Sequence, residues 1–288
     1  MPTAYVTGIV LIISSTFFLS LSGVIVRALS VDEWTIVFWR SAFMTLTMLI
    51  LMAVIKRGRI VSAFREAGLA GLYSGIAIGL AMICYIFSIS RTTVANTLVL
   101  VAAAPLFAAA LGMIMLKERV TPRTWTAIAV ACGGIALMFL ERMGAGELFG
   151  NLLAIIASVL YAFSIVVMRG SGEVNLIPAI CIAGIVSAVI TVPYADFASV
   201  PVRDMSILAA MGVGQMGLGL VLFVFGAQRL PPAETALLAL TETILAPLWV
   251  WLAINEVPSD WALIGGGILF AAVLANTALS LRRGPRFG

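Results

Sequence analysis

The sequence predicts an all-α integral membrane protein, with ten transmembrane helices in two inverted five-helix repeats and both termini in the cytoplasm. The first supporting observation is composition: 62% of the 288 residues are hydrophobic and 10% are charged, whereas soluble domains average about 45–50% apolar and about 25% charged residues. The second is that the apolar residues occur in blocks of about 20, the length a helix needs to cross a hydrocarbon core about 30 Å thick. The third is a similarity between the two halves of the chain.

Ten apolar segments are bounded by charged residues or by Gly/Pro clusters. They cover residues 5–26, 34–55, 67–89, 94–116 and 122–140 in the first half, and residues 148–168, 176–197, 206–227, 233–254 and 261–281 in the second half. The connections between them are short, so no soluble domain is expected between the spans.

The Lys and Arg residues predict the orientation. Of the 17 in the chain, twelve fall in one alternate set of connections and termini, four fall in the other set, and Arg40 lies inside a segment. Because connections rich in Lys and Arg stay in the cytoplasm, this asymmetry predicts that both termini are cytoplasmic. The chain has a net charge of +4. Because its Lys and Arg residues flank membrane segments, this charge does not indicate nucleic acid as a partner.

The residue types exclude several kinds of site. The chain has no histidine, which excludes His-ligated metal sites and Ser/His or Cys/His catalytic pairs. Cys84, Cys132 and Cys181 lie singly within apolar segments and form neither a disulfide framework nor a metal-binding pair. With no Walker motif either, we expect no enzyme activity, no metal and no cofactor, and any proton transfer must use carboxylates.

The two halves of the chain match each other at polar positions when the sequence is aligned with itself in either of two registers. The polar matches of the first register, which pairs the third and fourth segments with the eighth and ninth, are Arg91 on Arg229, Thr97 on Thr235 and Glu118 on Glu256. The matches of the second register, which pairs the first segment with the sixth, include Gly8 on Gly150, Ser22 on Ser164 and Arg27 on Arg169. We therefore predict two repeats, residues 1–141 and residues 142–288. Five helices is an odd number, so the second repeat must enter the bilayer inverted, which is an architecture of secondary transporters.

Short motifs recur in the same order in both halves. They are RSAF at residues 40–43, LKERVT at residues 116–121, GGI at residues 133–135, TALL at residues 235–238, NEVP at residues 255–258 and GGGI at residues 265–268. In these features the chain resembles the drug/metabolite transporter superfamily, and within it the ten-helix EamA-like family. The resemblance covers nearly the whole chain.

The resemblance implies a multi-pass exporter of the bacterial cytoplasmic membrane that carries small metabolites, with amino acids and related compounds as frequent cargo. It also implies a central cavity lined mainly by helices one, three, four, six, eight and nine. The expected partners are a small-molecule substrate and membrane lipid, and the chain is expected to be a monomer. A non-transporting or lipid-handling membrane protein is an alternative, and a membrane-embedded enzyme is another.

Two polar residues stand out because only one repeat carries them. Glu242 aligns with Ala104 and Gln215 aligns with Ala77, so the fold accepts alanine at the equivalent positions. A carboxylate near the bilayer centre costs at least about 2.5–3.5 kcal/mol, so Glu242 is expected to face a cavity, to find a partner or to hold a proton. It is the candidate for proton coupling, and a structural ion pair with Arg40 is the alternative.

Other polar residues are candidates for the wall of the cavity. Thr235, Glu242 and Trp249 share one stripe of the ninth helix, although Trp249 also suits an interfacial aromatic belt. The hydroxyls and the amide that complete the set are equally compatible with helix packing. They are Ser15, Ser22, Asn96, Ser158 and Tyr161.

A last set of residues is expected to act in structure or gating. Arg40 lies about 9 Å inside the second helix and is expected to be a structural tether. Pro105 and Pro247 are expected to interrupt the fourth and ninth helices and to let them deform during gating. Glu118 and Glu256 are expected to cap helix ends or to pair locally.

Overall fold

A computed structural model describes residues 2–55, 57–117, 122–138, 145–171, 176–230, 235, 238–239, 241–255 and 259–281. These residues form ten helical rods and no strand. In the first half the rods are α1 (Pro2–Ser20, continued by Ser22–Ala28), α2 (Glu33–Ile55), α3 (Ile60–Arg91), α4 (Val94–Val101, continued by Ala104–Met115) and α5 (Pro122–Met138). In the second half they are α6 (Ala145–Gly170), α7 (Leu176–Thr191), α8 (Val202–Ala209, Ala210–Leu218 and Gly219–Ala227 in succession), α9 (Thr241–Ile254) and α10 (Asp260–Leu281).

Six of these rods are long and apolar enough to cross a membrane. They are Ala4–Ala28, Glu33–Ile55, Ile60–Arg91, Val94–Met115, Gly146–Gly170 and Val202–Ala227, and α5, α7, α9 and α10 add shorter apolar stretches. The predicted all-α membrane class is therefore confirmed, and each predicted segment contains a helix. The seventh segment is shorter than predicted: α7 ends at Thr191 and a turn follows, because Pro193 has no N–H with which to continue the helix.

The helices pack in a pattern that relates the two halves of the chain. Helix α3 of the first half packs against α6 and α7 of the second half, and α8 of the second half packs against α1 and α2 of the first half. Likewise α4 packs against α6 as α9 packs against α1, and two further pairs join α2 to α7 and α5 to α10. Exchanging each helix for the one five places along the chain leaves this set of contacts unchanged.

Glycines bring several of these helix pairs into backbone contact. A Cβ atom added to Gly79 of α3 would lie 2.7 Å from the carbonyl oxygen of Ala183 in α7, and one added to Gly134 of α5 would lie 2.6 Å from that of Gly265 in α10. Neither position has room for a larger residue. Small residues at such crossings let membrane helices associate through van der Waals contact.

The crossing of α5 and α10 yields a matched pair of substitutions. Gly134→Ala forces a methyl group against the backbone of α10, and overpacking of this kind costs about 1–3 kcal/mol. Gly133→Ala, one residue away, places its methyl group in open space and gains helix propensity of up to about 1 kcal/mol. We expect Gly134→Ala to lower the midpoint of thermal unfolding in detergent and Gly133→Ala to leave it unchanged or higher. Equal midpoints for the two variants would contradict the close crossing.

Candidate functional site

A cavity of about 400 Å³ lies between helices of both halves of the bundle. Its wall is mostly apolar, and its polar side chains come from α1, α2, α3, α6, α8 and α9. The lining residues are Leu19, Ser22, Arg40, Tyr85, Leu98, Val101, Ala102, Pro105, Tyr161, Ile165, Gln215, Met216, Leu220, Phe223, Ala239 and Glu242. A volume of about 300–1,000 Å³ is typical of small-molecule sites.

Three of the helices around the cavity are irregular at the cavity itself. The helical turns of α1 are interrupted at Leu21, between the lining residues Leu19 and Ser22, and those of α4 are interrupted at Ala102 and Ala103. The central part of α8, Ala210–Leu218, is a π-helix that contains Gln215. Irregular backbone at membrane depth is tolerated where it lines a cavity or lies buried in protein, and π-helical turns occur frequently at functional sites.

Pro105 and Ser158 account for the interruption of α4. Pro105 has no N–H, so it cannot donate the helical hydrogen bond to the carbonyl of Val101 four residues earlier. The hydroxyl of Ser158 in α6 donates to that carbonyl at 3.2 Å. Pro105 then stands in the first turn of Ala104–Met115, where a proline is compatible with the helix. The predicted interruption of the fourth helix is present.

The ninth helix differs from its prediction. The helix α9 continues from Thr241 to Ile254 through position 247, so Pro247 does not interrupt it. A proline removes a single backbone hydrogen bond, and helices in membranes tolerate this because neighbouring groups satisfy the freed carbonyl. Glu118 and Glu256, the expected caps, lie outside the described residues.

Gln215 is held in a fixed position at the cavity wall. Its side chain is 3% exposed, and its Nε2 donates to the carbonyl of Leu19 in α1 at 3.0 Å. The carbonyl oxygen of the Gln215 side chain, Oε1, has no hydrogen-bond partner, and neither has the Ser22 hydroxyl. Two buried oxygen atoms at the cavity thus have unused hydrogen-bonding capacity.

Arg40 and Glu242 reach the same cavity from α2 and α9. Arg40 is 1% exposed, yet its Nε and Nη2 have no hydrogen-bond partner. No ion pair within 4.0 Å joins these two described residues. The alternative role of Glu242, a structural ion pair with Arg40, is therefore not observed, although both side chains line the cavity.

Several predicted cavity residues instead bond to neighbouring helices. The Ser15 hydroxyl donates to the carbonyl of Gly219 in α8 at 2.7 Å, which leaves it no role at the cavity. The indole N–H of Trp249 donates to the Ser20 hydroxyl at 2.9 Å, and its ring meets that of Phe17 edge to face. Trp249 thus packs on α1 and is not among the residues that line the cavity.

Asn96 and Thr235 are also buried away from the cavity lining. The Asn96 side chain lies near the N-terminus of α4, where its Nδ2 approaches the Thr92 hydroxyl at 3.4 Å and its backbone N–H is capped by Thr93. Thr235 precedes α9 and makes contacts of its own. Of the nine predicted cavity residues, the lining includes Glu242, Gln215, Tyr161 and Ser22.

Tyr85 lines the cavity but did not stand out in the sequence. A signal for it was present: in the first register Tyr85 aligns with Phe223, so one repeat carries a hydroxyl that the other lacks. This is the same contrast that singled out Glu242 and Gln215. Both members of the aromatic pair line the cavity, as do both Leu19 and Tyr161, which align in the second register.

A hydrophobic cluster adjoins the cavity, and the end of the cavity next to it is here called the closed end. The buried residues of the cluster come from α1, α2, α3, α4, α8 and α9, and they include Tyr85 and Leu98 of the cavity wall. Ser30, after α1, adds a polar link because its N–H and hydroxyl donate to Asp204 of α8 at 2.8 and 2.6 Å. Among the described residues, no other buried cluster contains a residue of α1.

Comparison with known proteins identifies the chain. Residues 6–140 and residues 148–278 each match the EamA-like transporter family. The chain belongs to this family. The resemblance to the drug/metabolite transporter superfamily is thereby confirmed, and EamA-like membership makes the chain a multi-pass membrane transporter and points away from an enzyme.

Two relatives and one solved structure are similar to this chain. The pseudopaline exporter CntI of Pseudomonas aeruginosa strain UCBPP-PA14 is 25% identical over 282 residues, which cover 93% of this EamA-like chain and 95% of the exporter. Human solute carrier family 35 member G1 is 23% identical over 247 residues, covering 76% and 66% of the two chains. A solved crystal structure shares the fold, with a TM-score of 0.64 at 17% identity over 98% of this chain and 99% of the other.

The interruption of α4 predicts an energetic coupling between two residues of this EamA-like protein. Ser158→Ala leaves the Val101 carbonyl buried without a donor, which costs about 1–3 kcal/mol. In a Pro105→Ala background the N–H of residue 105 returns to that carbonyl, so the same substitution at position 158 becomes nearly neutral. A double-mutant cycle of unfolding free energies measures the difference.

Ser206→Ala is the control for this cycle, because Ser206 is exposed and donates only within its own helix. Surface changes of this kind stay within about 0.5 kcal/mol. Additive effects of Ser158→Ala and Pro105→Ala would show that Ser158 does not compensate for the proline.

Proposed function

We propose that this protein is a secondary transporter that exports small metabolites, amino acids or related compounds, from the cytoplasm across the bacterial inner membrane by alternating access. All ten rods cross the bilayer in this proposal, with both termini in the cytoplasm. The observation that carries the proposal is the cavity of about 400 Å³ whose polar groups come from both halves of the bundle. A site between two halves that rock about it is the arrangement that secondary transporters use.

Two observations support an inverted duplication with repeats at residues 1–141 and 142–288. The EamA-like family matches the chain twice, at residues 6–140 and 148–278. The helix pairs described under the fold also map onto one another when each helix is exchanged for the one five places along. Packing of this kind is expected when two similar units face each other around a two-fold axis in the membrane plane.

The closed end and the charge asymmetry support the proposed direction of transport. With the N-terminus in the cytoplasm, the end of α1 at Ala28 reaches the outer surface, and the closed end lies there. The cavity is therefore sealed from the outside and takes its substrate from the cytoplasm. Export requires this state for loading, and the name of the Pseudomonas relative, an exporter, is in agreement.

Glu242 is the group that couples transport to protons in this proposal. The described cavity wall holds no other carboxylate, and the chain has no histidine. A carboxylate that exchanges its proton between the two states of the cavity would let inward proton flow drive outward substrate flow. Uniport down the metabolite gradient is the alternative, and it leaves Glu242 as a binding group alone.

Flux from proteoliposomes tests transport and coupling together. Vesicles with the wild-type protein and vesicles without protein are loaded with a panel of labelled amino acids and related metabolites. We expect the wild-type vesicles to release at least one compound faster than the protein-free vesicles, and faster still when the external medium is acidic. Glu242→Gln should remove the response to the pH gradient, because the amide carries no exchangeable charge. Glu66→Gln, an exposed change outside the cavity, should keep the response.

Two outcomes would count against these proposals separately. Transport would be contradicted if vesicles with the protein released every compound no faster than protein-free vesicles do. A full response to the pH gradient in Glu242→Gln would contradict the coupling role and leave transport intact.

Thiol labelling tests the direction in which the cavity opens. In a background without Cys84, Cys132 and Cys181, a cysteine at Ala102 should react with a membrane-impermeant maleimide added to the cytoplasmic side and should be protected from the outside. A protein that keeps only the buried Cys181 is the control and should react from neither side. Faster labelling of the Ala102 cysteine from the outside would contradict the proposed orientation of the closed end.

A further inference from the structure

Arg40 is the most unusual group in the cavity. It carries a full charge inside the bundle and is 1% exposed, and its Nε and Nη2 have no hydrogen-bond partner. Leaving the donors of a buried charge unpaired costs several kcal/mol, so the two free nitrogens of Arg40 are retained only where something else compensates them. Because Arg40 lines the cavity, the compensating group is one that enters the cavity.

The two unpaired nitrogens indicate the shape of that group. Nε–H and Nη2–H lie on one edge of the planar guanidinium and point in parallel. Two parallel donors of this kind match the two oxygens of a carboxylate, and such paired hydrogen bonds are shorter and stronger than neutral ones. The free edge of Arg40 is thus suited to a carboxylate.

Two other groups of the wall, Gln215 and Glu242, are acceptors, and the unpaired Ser22 hydroxyl can accept as well as donate. Oε1 of Gln215 is an acceptor without a donor, and its amide is oriented by the bond from Nε2 to Leu19. Glu242 is an acceptor when it is ionised, and no cation of the described residues pairs with it within 4.0 Å. An ammonium group has three donors and no acceptor, and it is the group that fits these atoms.

Most of the remaining wall is apolar, although Ser22, Tyr85 and Tyr161 also line it. The apolar residues include Leu98, Ile165, Met216, Leu220 and Phe223. A ligand that fits the edge of Arg40, the acceptors of Gln215 and Glu242, and the apolar residues has a carboxylate, an ammonium group and an apolar side chain.

We propose that the cavity binds a zwitterion with an apolar side chain, whose carboxylate is held by the Nε and Nη2 edge of Arg40 and whose ammonium group is held by Glu242 and Gln215. This proposal rests on the proposed transport function and assigns its substrate class. It gives Arg40 a binding role in place of a structural tether. The ligand bridges two charges that the protein keeps apart, so substrate binding compensates both charges at once.

Binding of truncated ligands tests the assignment of each charge. The probes are L-phenylalanine, 2-phenylethylamine, which lacks the carboxylate, and 3-phenylpropanoate, which lacks the ammonium group, together with L-leucine and its corresponding amine and acid. Each is titrated into purified protein in nanodiscs. We expect the wild type to bind at least one of the two amino acids, and the matching amine and acid to bind at least tenfold more weakly.

The variants should separate the two charges. Arg40→Gln should lose at least tenfold in affinity for the amino acid and less than twofold for the amine. Glu242→Gln should show the reverse pattern, with the acid little affected. Arg40→Lys keeps the charge but not the two-nitrogen edge, so its affinity for the amino acid should be intermediate. Arg65→Gln, an exposed arginine outside the cavity, should bind all probes as the wild type does.

Several results would overturn the assignment. Equal weakening of all three probes by Arg40→Gln, with a lower unfolding midpoint, would identify Arg40 as structural. If Arg40→Gln does not fold, the selectivity of Arg40→Lys between amino acid and amine decides, and an unchanged ratio contradicts the proposal. Failure of the wild type to bind either amino acid, while vesicles export a compound that is not a zwitterion, would reject the substrate class and preserve the transport function.

Discussion

The hydrogen bond from Ser158 to the carbonyl of Val101 shows the constraint on which the rest of the structure depends. Inside a bilayer there is no water to satisfy a freed backbone group, so each interruption of a helix needs a partner from the protein. Pro105 frees one carbonyl in α4, and a hydroxyl on the facing helix supplies the missing donor at 3.2 Å. The interruption can therefore lie at the cavity, where it shapes the wall without leaving a buried acceptor unpaired.

The same constraint bears on the buried polar atoms of the cavity wall that have no hydrogen-bond partner. Most buried hydroxyls of the described helices donate to a carbonyl of a neighbouring turn or helix, as Ser15 and Ser187 do. Against this background, the free edge of Arg40 and the free oxygen of Gln215 stand at the cavity, where a ligand or water has access. Among the described residues, buried polar atoms without a hydrogen-bond partner also occur away from the cavity, at Trp39, Ser41, Thr45, Asn96 and Asp204. Those of Arg40 and Gln215 differ because they belong to the cavity wall, where a ligand can reach them.

Hydrophobicity and symmetry could predict much of this arrangement from the sequence. Block lengths predict the helices, and the contrast between the repeats selects Glu242 and Gln215, because a polar residue opposite an alanine is not required by the fold. The hydrogen-bond partners of individual hydroxyls were not predictable in this way. Ser158 and Ser15 lie at spacings that suit a cavity, but a hydroxyl within reach of a free carbonyl bonds to it, and that distance depends on how two helices cross. The partner of Arg40 was not predictable for a related reason, since a sequence does not show whether a carboxylate on another helix lies within reach.

In the proposed inverted duplication, the two halves share a set of helix contacts and differ in the side chains that line the cavity, and this combination suits alternating access. If two inverted halves exchange conformations during transport, the packing lost on one side is recovered on the other, and the two states are close in free energy. A ligand can shift such an equilibrium only by its difference in affinity for the two states, and about 5.5 kcal/mol moves it from 1:99 to 99:1. A perfectly symmetric cavity would present equivalent groups to a ligand in both states. In the proposed mechanism, Glu242 opposite Ala104, Gln215 opposite Ala77 and Tyr161 opposite Leu19 remove that equivalence. Substrate and protons would then favour one state, while the packing of the scaffold would favour neither.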